Sequence, residues 1–342
     1  MPRRITQSDI AKKAGLSRPT VSLALKGSSA VSEQTRRYVR EVAESLGYSP
    51  DPMLSALSKY RLQEESEHYR GTLAWVSYSS EDMLWNKITP YAAYYEGARM
   101  RAERVGFNIE IFDAFQQELS AKRLSGILDA RGIRGMLVCP PVWQDQQFNL
   151  PFDDYAFVTF GYTIREPAMH RVTSSHYRAT WSIFDRFASQ GYRRIGFAGS
   201  HEVNIKTQEH CLSVYLCGCR KYNLEILPEL VDDDMTTDQF EDWVEKHRFD
   251  AVIFTSPLWP LIRGSKFRIP EDLAVASPMT PVHYPELTGV IEKSEQIGSA
   301  AVDTLIHLIQ QDDRGIPTDP QNILIEGRWN EGTTVPPLDQ SV

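Results

Sequence analysis

The chain has 342 residues, 42% apolar, 24% charged and 11% aromatic, enough for two or three domains with buried cores and incompatible with global disorder. Its formal net charge of −8, taken alone, argues against a polyanionic partner. The charge is divided, however: residues 1–62 hold eleven Lys/Arg against five acids, a surplus of six, and the rest of the chain is left fourteen negative. A small basic head on a large acidic body is the asymmetry expected when one module meets a polyanion.

The head is expected to form three helices. Thr6 precedes an apolar stripe of Ile10, Ala11 and Ala14, with Asp9 three residues on in capping-box position. Gly15-Leu16-Ser17 reads as a tight turn in which Gly15 takes the left-handed conformation, Leu16 plugs inward and Ser17 caps the next helix. That helix, over 18–26, buries Val21 and Ala24 or Leu25 and carries Pro19 in its first turn, where a missing N–H costs nothing. Gly27-Ser28-Ser29 breaks the chain, and Ser32 caps a third helix over 33–46 with core face Val39, Val42, Ala43 and Leu46, ended by Gly47. This is a helix-turn-helix pattern whose second helix offers Arg18, Thr20, Ser22 and Lys26 to a major groove. To this point a small helical bundle with a solvated basic face also fits, though less well. The next segment narrows the choice: residues 48–58 read as a short helix with Asp51 as cap, Pro52 at its first position, and Met53, Leu54 and Leu57 as apolar side chains. It is too short to be stable unaided and suits a wedge that folds on entering a minor groove.

Residues 63–70 are polar and form a connector. Beyond them, strands are expected at 72–78, 107–112, 135–139 and 155–160, with helices at 90–105 (core positions Ala93, Ala98 and Ala102) and 120–130. A second series has helices at 177–190, 206–222 and 238–247 and strands at 194–198, 251–255 and 273–276. Strand–helix alternation implies an α/β body of two doubly wound parallel-sheet lobes, with the segment 289–310 crossing back to the first. A small molecule then sits between the lobes at the carboxyl ends of the strands. The candidates there are Tyr78, Ser79, Trp85, Pro90, Tyr91, Pro140, Trp143, Phe160, Tyr162, Ser200, Ser256, Trp259 and Met279. Aromatic faces stack on sugar rings, although the same residues suit a core or a dimer interface.

The run Ile10-Ala11-Lys12-Lys13-Ala14-Gly15-Leu16-Ser17-Arg18-Pro19-Thr20-Val21-Ser22 resembles the signature of the lactose-repressor (LacI/GalR) family of bacterial transcription regulators. Val31-Ser32-Glu33-Gln34-Thr35-Arg36, Leu46-Gly47-Tyr48-Ser49-Pro50 and Leu57 follow at the family's spacing. The resemblance implies a helix-turn-helix head (1–50), a hinge helix (51–62), a linker (63–70) and a periplasmic-binding-protein-like, two-lobed body (71–342). It implies a homodimer on a pseudo-palindromic operator in double-stranded DNA, probing it with Thr6, Ser17, Arg18, Pro19, Thr20, Ser22, Leu23, Lys26, Leu54 and Leu57. Residues matching Arg18, Pro19 and Leu23 read bases in the family, those matching Thr20 and Ser22 hold phosphate, and Leu57 intercalates between half-sites. Many relatives carry Arg where this chain has Leu23, so its operator should differ, with apolar contact to a thymine methyl available.

The resemblance also implies a carbohydrate-like small-molecule effector, and a repressor that responds to it. Pro90 and Tyr91 match an aromatic pair that packs on ligand. Ser174, Ser256, Pro257, Met279 and Ile291 stand where relatives often carry Asp, Asn, Asp, Asp and Arg, and around Cys211 relatives have an Arg that clamps the effector. Three outcomes follow: a less polar or larger effector, other binding residues, or a pocket that has lost its ligand.

Catalytic motifs are absent: there is no Gly-x-Ser-x-Gly elbow, phosphate-binding loop, dinucleotide fingerprint or His-Glu-x-x-His helix. Ser200-His201-Glu202 gathers triad-like groups in one loop, the sole motive for an enzyme reading, but adjacent residues point apart and a loop role is expected. Asp232-Asp233-Asp234 lacks the Gly turn and distal Glu of a calcium loop. The four cysteines, Cys139, Cys211, Cys217 and Cys219, do not make a disulfide framework and are expected buried and reduced. Cys217, Cys219 and His210 invite a metal reading, yet a helix would aim the two thiols about 200° apart and no second cluster completes the ligands. Neither cofactor nor metal is expected. With no apolar leader and no apolar run of about 18 residues, a cytoplasmic protein without membrane contact is expected. Leu57→Ala should weaken operator binding and reduce the DNA bend while leaving the body's dimer and ligand response intact; equal affinity and bend in fluorescence and phasing assays would remove the wedge.

Overall fold

The computed structural model describes residues 6–25, 31–46, 48, 70–78, 84–114, 120–141 and 150–337, and the backbone but not the side chain of Ser256. Lys26, Leu54, Leu57, Ser79 and Trp143, the hinge segment 51–62 and nearly all of the connector 63–70 lie outside the described residues.

The head has α1 (Gln7–Ala14), α2 (Arg18–Leu25) and α3 (Glu33–Ser45). The first cap forms as its residue types dictate: the Thr6 N–H and hydroxyl donate to Asp9 Oδ2 at 2.8 and 2.7 Å. Gly15 sits at φ 67°, so the chain reverses without a Cβ clash. Ser17 Oγ accepts from Thr20 N at 3.2 Å and Ser32 Oγ from Thr35 N at 3.3 Å, capping α2 and α3. Ile10, Val21, Ala24 and Val39 are fully buried at the centre, and Lys13 Nζ ties α1 to α3 through Ser45 Oγ at 3.0 Å.

The first lobe is a six-stranded, wholly parallel sheet built from β1 (Gly71–Ser77), β2 (Phe107–Asp113), β3 (Gly135–Val138), β4 (Ala156–Phe160), β5 (His170–Ser174) and β11 (Asn322–Ile325), in the order β11-β5-β4-β3-β1-β2. Helices cover both faces, and alternate β1 residues divide between them. Leu73 and Trp75 meet α4 (Thr89–Arg104) and α11 (Ser294–Gln311); Ala74 and Val76 meet α5 (Ala121–Ala130). The second lobe carries β6 (Ile195–Gly199), β7 (Leu230–Val231), β8 (Ala251–Phe254) and β9 (Ala274–Ala276) in the parallel order β7-β6-β8-β9. On one face lie α6 (His176–Ser189) and α8 (His210–Lys221); on the other lie α9 (Thr237–His247) and α10 (Trp259–Arg263). The chain passes between lobes three times: from β5 into α6, from β10 (Gly289–Ile291) into α11, and from β11 into β12 (Arg328–Asn330), which pairs antiparallel with β10.

The α/β, two-lobed class therefore holds, with local corrections. Ala93 is only half-buried; Tyr91, Tyr94, Gly97, Ala98 and Ala102 are the buried positions of α4. The helix expected at 206–222 is two, α7 (His201–Lys206) and α8, separated by Gln208 and Glu209 at φ 51° and 57°. Buried Asn204, Thr207, Cys211, Val214 and Gly218 keep a helical spacing straight through that break, so periodicity alone could not show it. Cys217 is exposed, on the opposite side of α8 from buried Cys219. The strands β5, β7, β10, β11 and β12 were not anticipated, being short or lacking clean alternation.

Helices α4 and α11 pack backbone to backbone. A Cβ on Gly97 would run into the Glu295 main chain, and one on Gly298 into the main chain of Tyr94 and Ala98. Gly97→Ala and Gly298→Ala should each cost about 2 kcal/mol or more in urea unfolding, whereas Gly126→Ala, in open space on α5, should stabilise by about 0.5–1 kcal/mol. Native-like stability in the first two variants would refute the close approach.

Candidate functional site

Two places carry chemistry. On the head, α2 turns Val21 and Ala24 inward and leaves Arg18, Pro19 and Leu23 exposed, with Ser22 half-exposed on the same side. Spacings of one, four and five residues gather these four on one face of the helix. Thr20 is half-buried, its hydroxyl 2.7 Å from that of Ser17, so both belong to the cap as well as to the helix N-terminus. Thr6 is exposed and engaged with Asp9. A short helix presenting one cation, small polar groups and an apolar side chain at its N-terminal end has the dimensions and chemistry for a major groove.

The second place is the cleft between the lobes. From the first lobe, Tyr91 lies on the first turn of α4, buried, with its hydroxyl held by the Thr163 side chain beyond β4. Burial pushes the Tyr91 phenol well up, with Cys139 and, from the opposite lobe, Glu202 adding to the effect. Tyr94 stacks on Phe160 at 5.2 Å and donates to Glu292 Oε1 at 2.9 Å, and Ser294 Oγ donates to the same oxygen at 2.8 Å. Burial raises the Glu292 carboxyl despite these bonds. Tyr162 crosses to the second lobe, its ring edge-on to His210 at 5.2 Å and beneath the Arg171 guanidinium at 5.3 Å.

Beyond the strand ends around the cleft, four buried polar atoms have no hydrogen-bond partner among the described residues: Ser175 Oγ and His176 Nδ1 at the first crossover, Asn204 Oδ1 on α7, and Thr255 Oγ1 just past β8. They follow the carboxyl ends of β5, β6 and β8 and so belong to both lobes. An unsatisfied buried polar atom costs about 1–3 kcal/mol, which a ligand hydroxyl or amide entering the cleft would offset. With aromatic rings of Tyr91 and Tyr162 close by, the lining suits an uncharged, polyhydroxylated molecule.

The structure redistributes the residues expected there. Tyr91 lies in the cleft. Tyr78 is packed with Ala74, Val76 and Phe112 on the α5 side of the sheet. Trp85 is buried against Trp75 and Tyr95, at 5.2 Å from each. Trp259 is core to the second lobe, stacked on Phe254 at 6.0 Å, its Nε1 donating to Glu286 at 3.4 Å. Cys211 is fully buried beside the Thr180 hydroxyl, where burial pushes its thiol up to about 11. Ser174 is buried in register with Ile325, Pro90 is exposed, and Met279 is half-buried against the second lobe's core. Ser200 Oγ caps α7 by accepting from Val203 N at 3.1 Å. Strand-end position indicates the neighbourhood but not the side-chain direction, and large rings there fill the gap between helix and sheet. Thr163, Ser175, His176, Asn204, His210, Thr255 and Glu292 were missed: no motif links them, and only the fold brings them together.

The triad-like groups of the Ser200 loop do not converge. With Ser200 used as a cap, exposed His201 has no hydroxyl to activate, and Glu202 pairs with Lys206. Asp233 Oδ1 accepts from Glu202 N at 3.0 Å and Asp232 Oδ1 from Asp234 N at 2.9 Å, a self-satisfied turn. Among the described residues no His/Cys/Asp/Glu group could hold a metal ion, and no helix is long and apolar enough to cross a membrane.

Comparison with known proteins gives two family matches: "Bacterial regulatory proteins, lacI family" over residues 6–51, and "Periplasmic binding protein-like domain" over 184–335. Relatives include the HTH-type transcriptional regulator TreR of Salmonella typhimurium, 26% identical over 66% of each chain, and the HTH-type transcriptional repressor CytR of Escherichia coli, 24% identical over 89% of this chain and 90% of that one. Among solved structures, the transcriptional regulator CelR in complex with cellobiose matches at TM-score 0.57 and 22% identity, over 97% of this chain and all of that one. The lac repressor dimer bound to operator and the anti-inducer ONPF matches at TM-score 0.54 and 16% identity, covering 97% and 99% of the two chains.

His176 gives the cleft a pH signature. Burial, and secondarily His210, bring its imidazole down to about 4, so the folded state holds it neutral. The unfolded chain takes up a proton near pH 6.5, so this contribution is complete above about 6.5 and is lost as pH falls towards 4. Stability should decline by about 1.4 kcal/mol per pH unit in that window. His176→Asn should flatten the decline in urea titrations at successive pH values; a parallel decline in both proteins would show that His176 is not responsible.

Proposed function

Because the chain belongs to the lacI family of bacterial regulatory proteins, which are sequence-specific transcriptional regulators and not enzymes, we propose that it is a cytoplasmic, homodimeric repressor whose operator affinity is set by an uncharged, carbohydrate-like effector in the inter-lobe cleft. Each subunit lays α2 in one major-groove half-site, with Arg18, Pro19 and Leu23 at the base edges and Thr20 and Ser22 at phosphates. The paired hinge segments insert Leu57 into the minor groove between half-sites. The basic head supports this placement: phosphates attract it, while the body as a whole carries a surplus of negative charge.

The observation that carries the effector reading is the set of unpartnered buried polar atoms, Ser175 Oγ, His176 Nδ1, Asn204 Oδ1 and Thr255 Oγ1. A ligand bridging them binds the closed pair of lobes more tightly than the open pair, and that differential is what shifts a two-state equilibrium. The polar clamp expected from relatives at Ser174, Ser256, Met279 and Cys211 is replaced by these uncharged groups and by His210.

A genome-wide binding map identifies the operator, and thermal-shift screening of neutral sugars and nucleosides identifies the effector. Thr255→Val and Asn204→Ala should each weaken effector binding about 2- to 10-fold in calorimetry, the worth of one neutral hydrogen bond, with operator affinity unchanged. Arg18→Ala should do the reverse, costing about 1–3 kcal/mol on the operator and relaxing specificity at one base pair. A folded body that no neutral compound stabilises would leave a DNA-binding regulator without effector control.

A further inference from the structure

The body is acidic overall, yet the underside of its first lobe, where the chain arrives from the head, carries a basic groove of about 430 Å³. Arg70, Arg101, Arg104, Asp303 and His307 line it together with the apolar Val105, Phe107 and Ile306. Arg70 N donates to Gly106 O at 2.6 Å, which holds the start of β1 beside the last turn of α4 and so keeps Arg70 next to Arg104. Arg101 is neutralised by Asp303 at 2.8 Å. Arg70 and Arg104 are exposed, and neither has an ion-pair or hydrogen-bond partner for its side chain among the described residues.

The groove is continuous with the head. Gln310 closes its rim on α11, and two residues further on Asp312 pairs with Arg40 of α3 at 3.3 Å. The head thus abuts the end of the helix that lines the groove. Two guanidinium groups lining one groove, with no counter-charge of their own among the described residues, favour an anion between them. We propose that this groove is a second DNA-contacting surface, in which Arg70 and Arg104 hold backbone phosphates of the operator's flanks while the head reads its bases. The inference rests on the regulator reading above. The chemistry recognised is the phosphodiester backbone, so the contact adds affinity and salt dependence without sequence preference.

The test uses the full-length protein and operator duplexes, with fluorescence anisotropy from about 50 to 200 mM salt. Arg70→Ala/Arg104→Ala should weaken binding at least tenfold at low salt. The plot of log K against log salt should become shallower by about 0.9 for each phosphate contact removed. Arg70→Lys/Arg104→Lys should retain most of the slope, since a phosphate accepts either cation, and Arg193→Ala on the second lobe should change nothing. Base preference, read from single-substituted operators, should be the same in all variants. An unchanged slope in the double alanine variant overturns the proposal. So does a loss of affinity accompanied by dissociation in sedimentation velocity, which would make the groove an interface between two copies of the chain. Failure of the unaltered protein to bind any operator would instead overturn the regulator reading.

Discussion

The body depends on one contact between segments about two hundred residues apart: α11 lying directly on α4. Gly97 and Gly298 let the two backbones touch, so Ile297, Ala301 and Leu305 close the same core as Tyr94 and Ala98. Because α11 is the continuation of the crossover from β10, seating it also fixes where that crossover passes. Glu292 therefore arrives beside Tyr94 and Ser294, and the crossover is bonded to the first lobe at the cleft. A larger residue at either glycine would lift the helix and shift the cleft with it. Packing far from any ligand thus sets the geometry in which a ligand would be held.

Charge is organised on the same frame. The head is basic, the body acidic, and a basic groove of the first lobe lies near the end of α11 that the head abuts. In the proposed reading, long-range repulsion between an acidic body and DNA disfavours non-specific adhesion, whereas short-range contacts through α2 remain attractive. A net charge of −8 therefore does not describe any surface of the molecule; its sign reverses between the head and the body.

Much of this was legible in the sequence, for identifiable reasons. The head could be read almost residue by residue because its signals are local: Thr6 and Asp9, Gly15, Ser17 and Ser32 each act within four residues, and the structure shows each cap in place. The alternation of strands and helices was legible because burial on both sheet faces requires apolar runs. The break at Gln208 and Glu209 was not, since helical spacing continues across it. Nor were β10 and β12, which are three residues each and pair only because the crossovers run side by side. The cleft divides in the same way. Tyr91 and Tyr162 lie beyond the carboxyl ends of parallel strands, where sequence position alone puts them. Trp85, Trp259 and Cys211 are placed by sequence in the same way, but their side chains serve the cores of their lobes. Ser175, His176, Asn204 and Thr255 carry no signal at all; an unpartnered atom is defined by its surroundings, and surroundings exist only once the chain is folded.

Those four atoms also bear on how the two ends of the molecule communicate in the proposed reading. A ligand that binds one lobe alone stabilises open and closed forms equally and shifts nothing, whatever its affinity. Coupling requires contacts that exist only when the lobes are together. Ser175 and His176 sit on the crossover itself, Asn204 and Thr255 on the second lobe, and Tyr91 and Thr163 on the first. A neutral polar molecule that satisfies groups from all three gains its bonds only in the closed arrangement, and each bond is worth about 0.5–1.5 kcal/mol net. Two or three such bonds supply the 1–3 kcal/mol typical of allosteric coupling. The same free energy must then appear at the DNA end, because linkage between two binding sites is reciprocal. In that reading, leaving the four groups unpartnered weakens the unliganded body, and in exchange it makes the closed state responsive to a polar ligand.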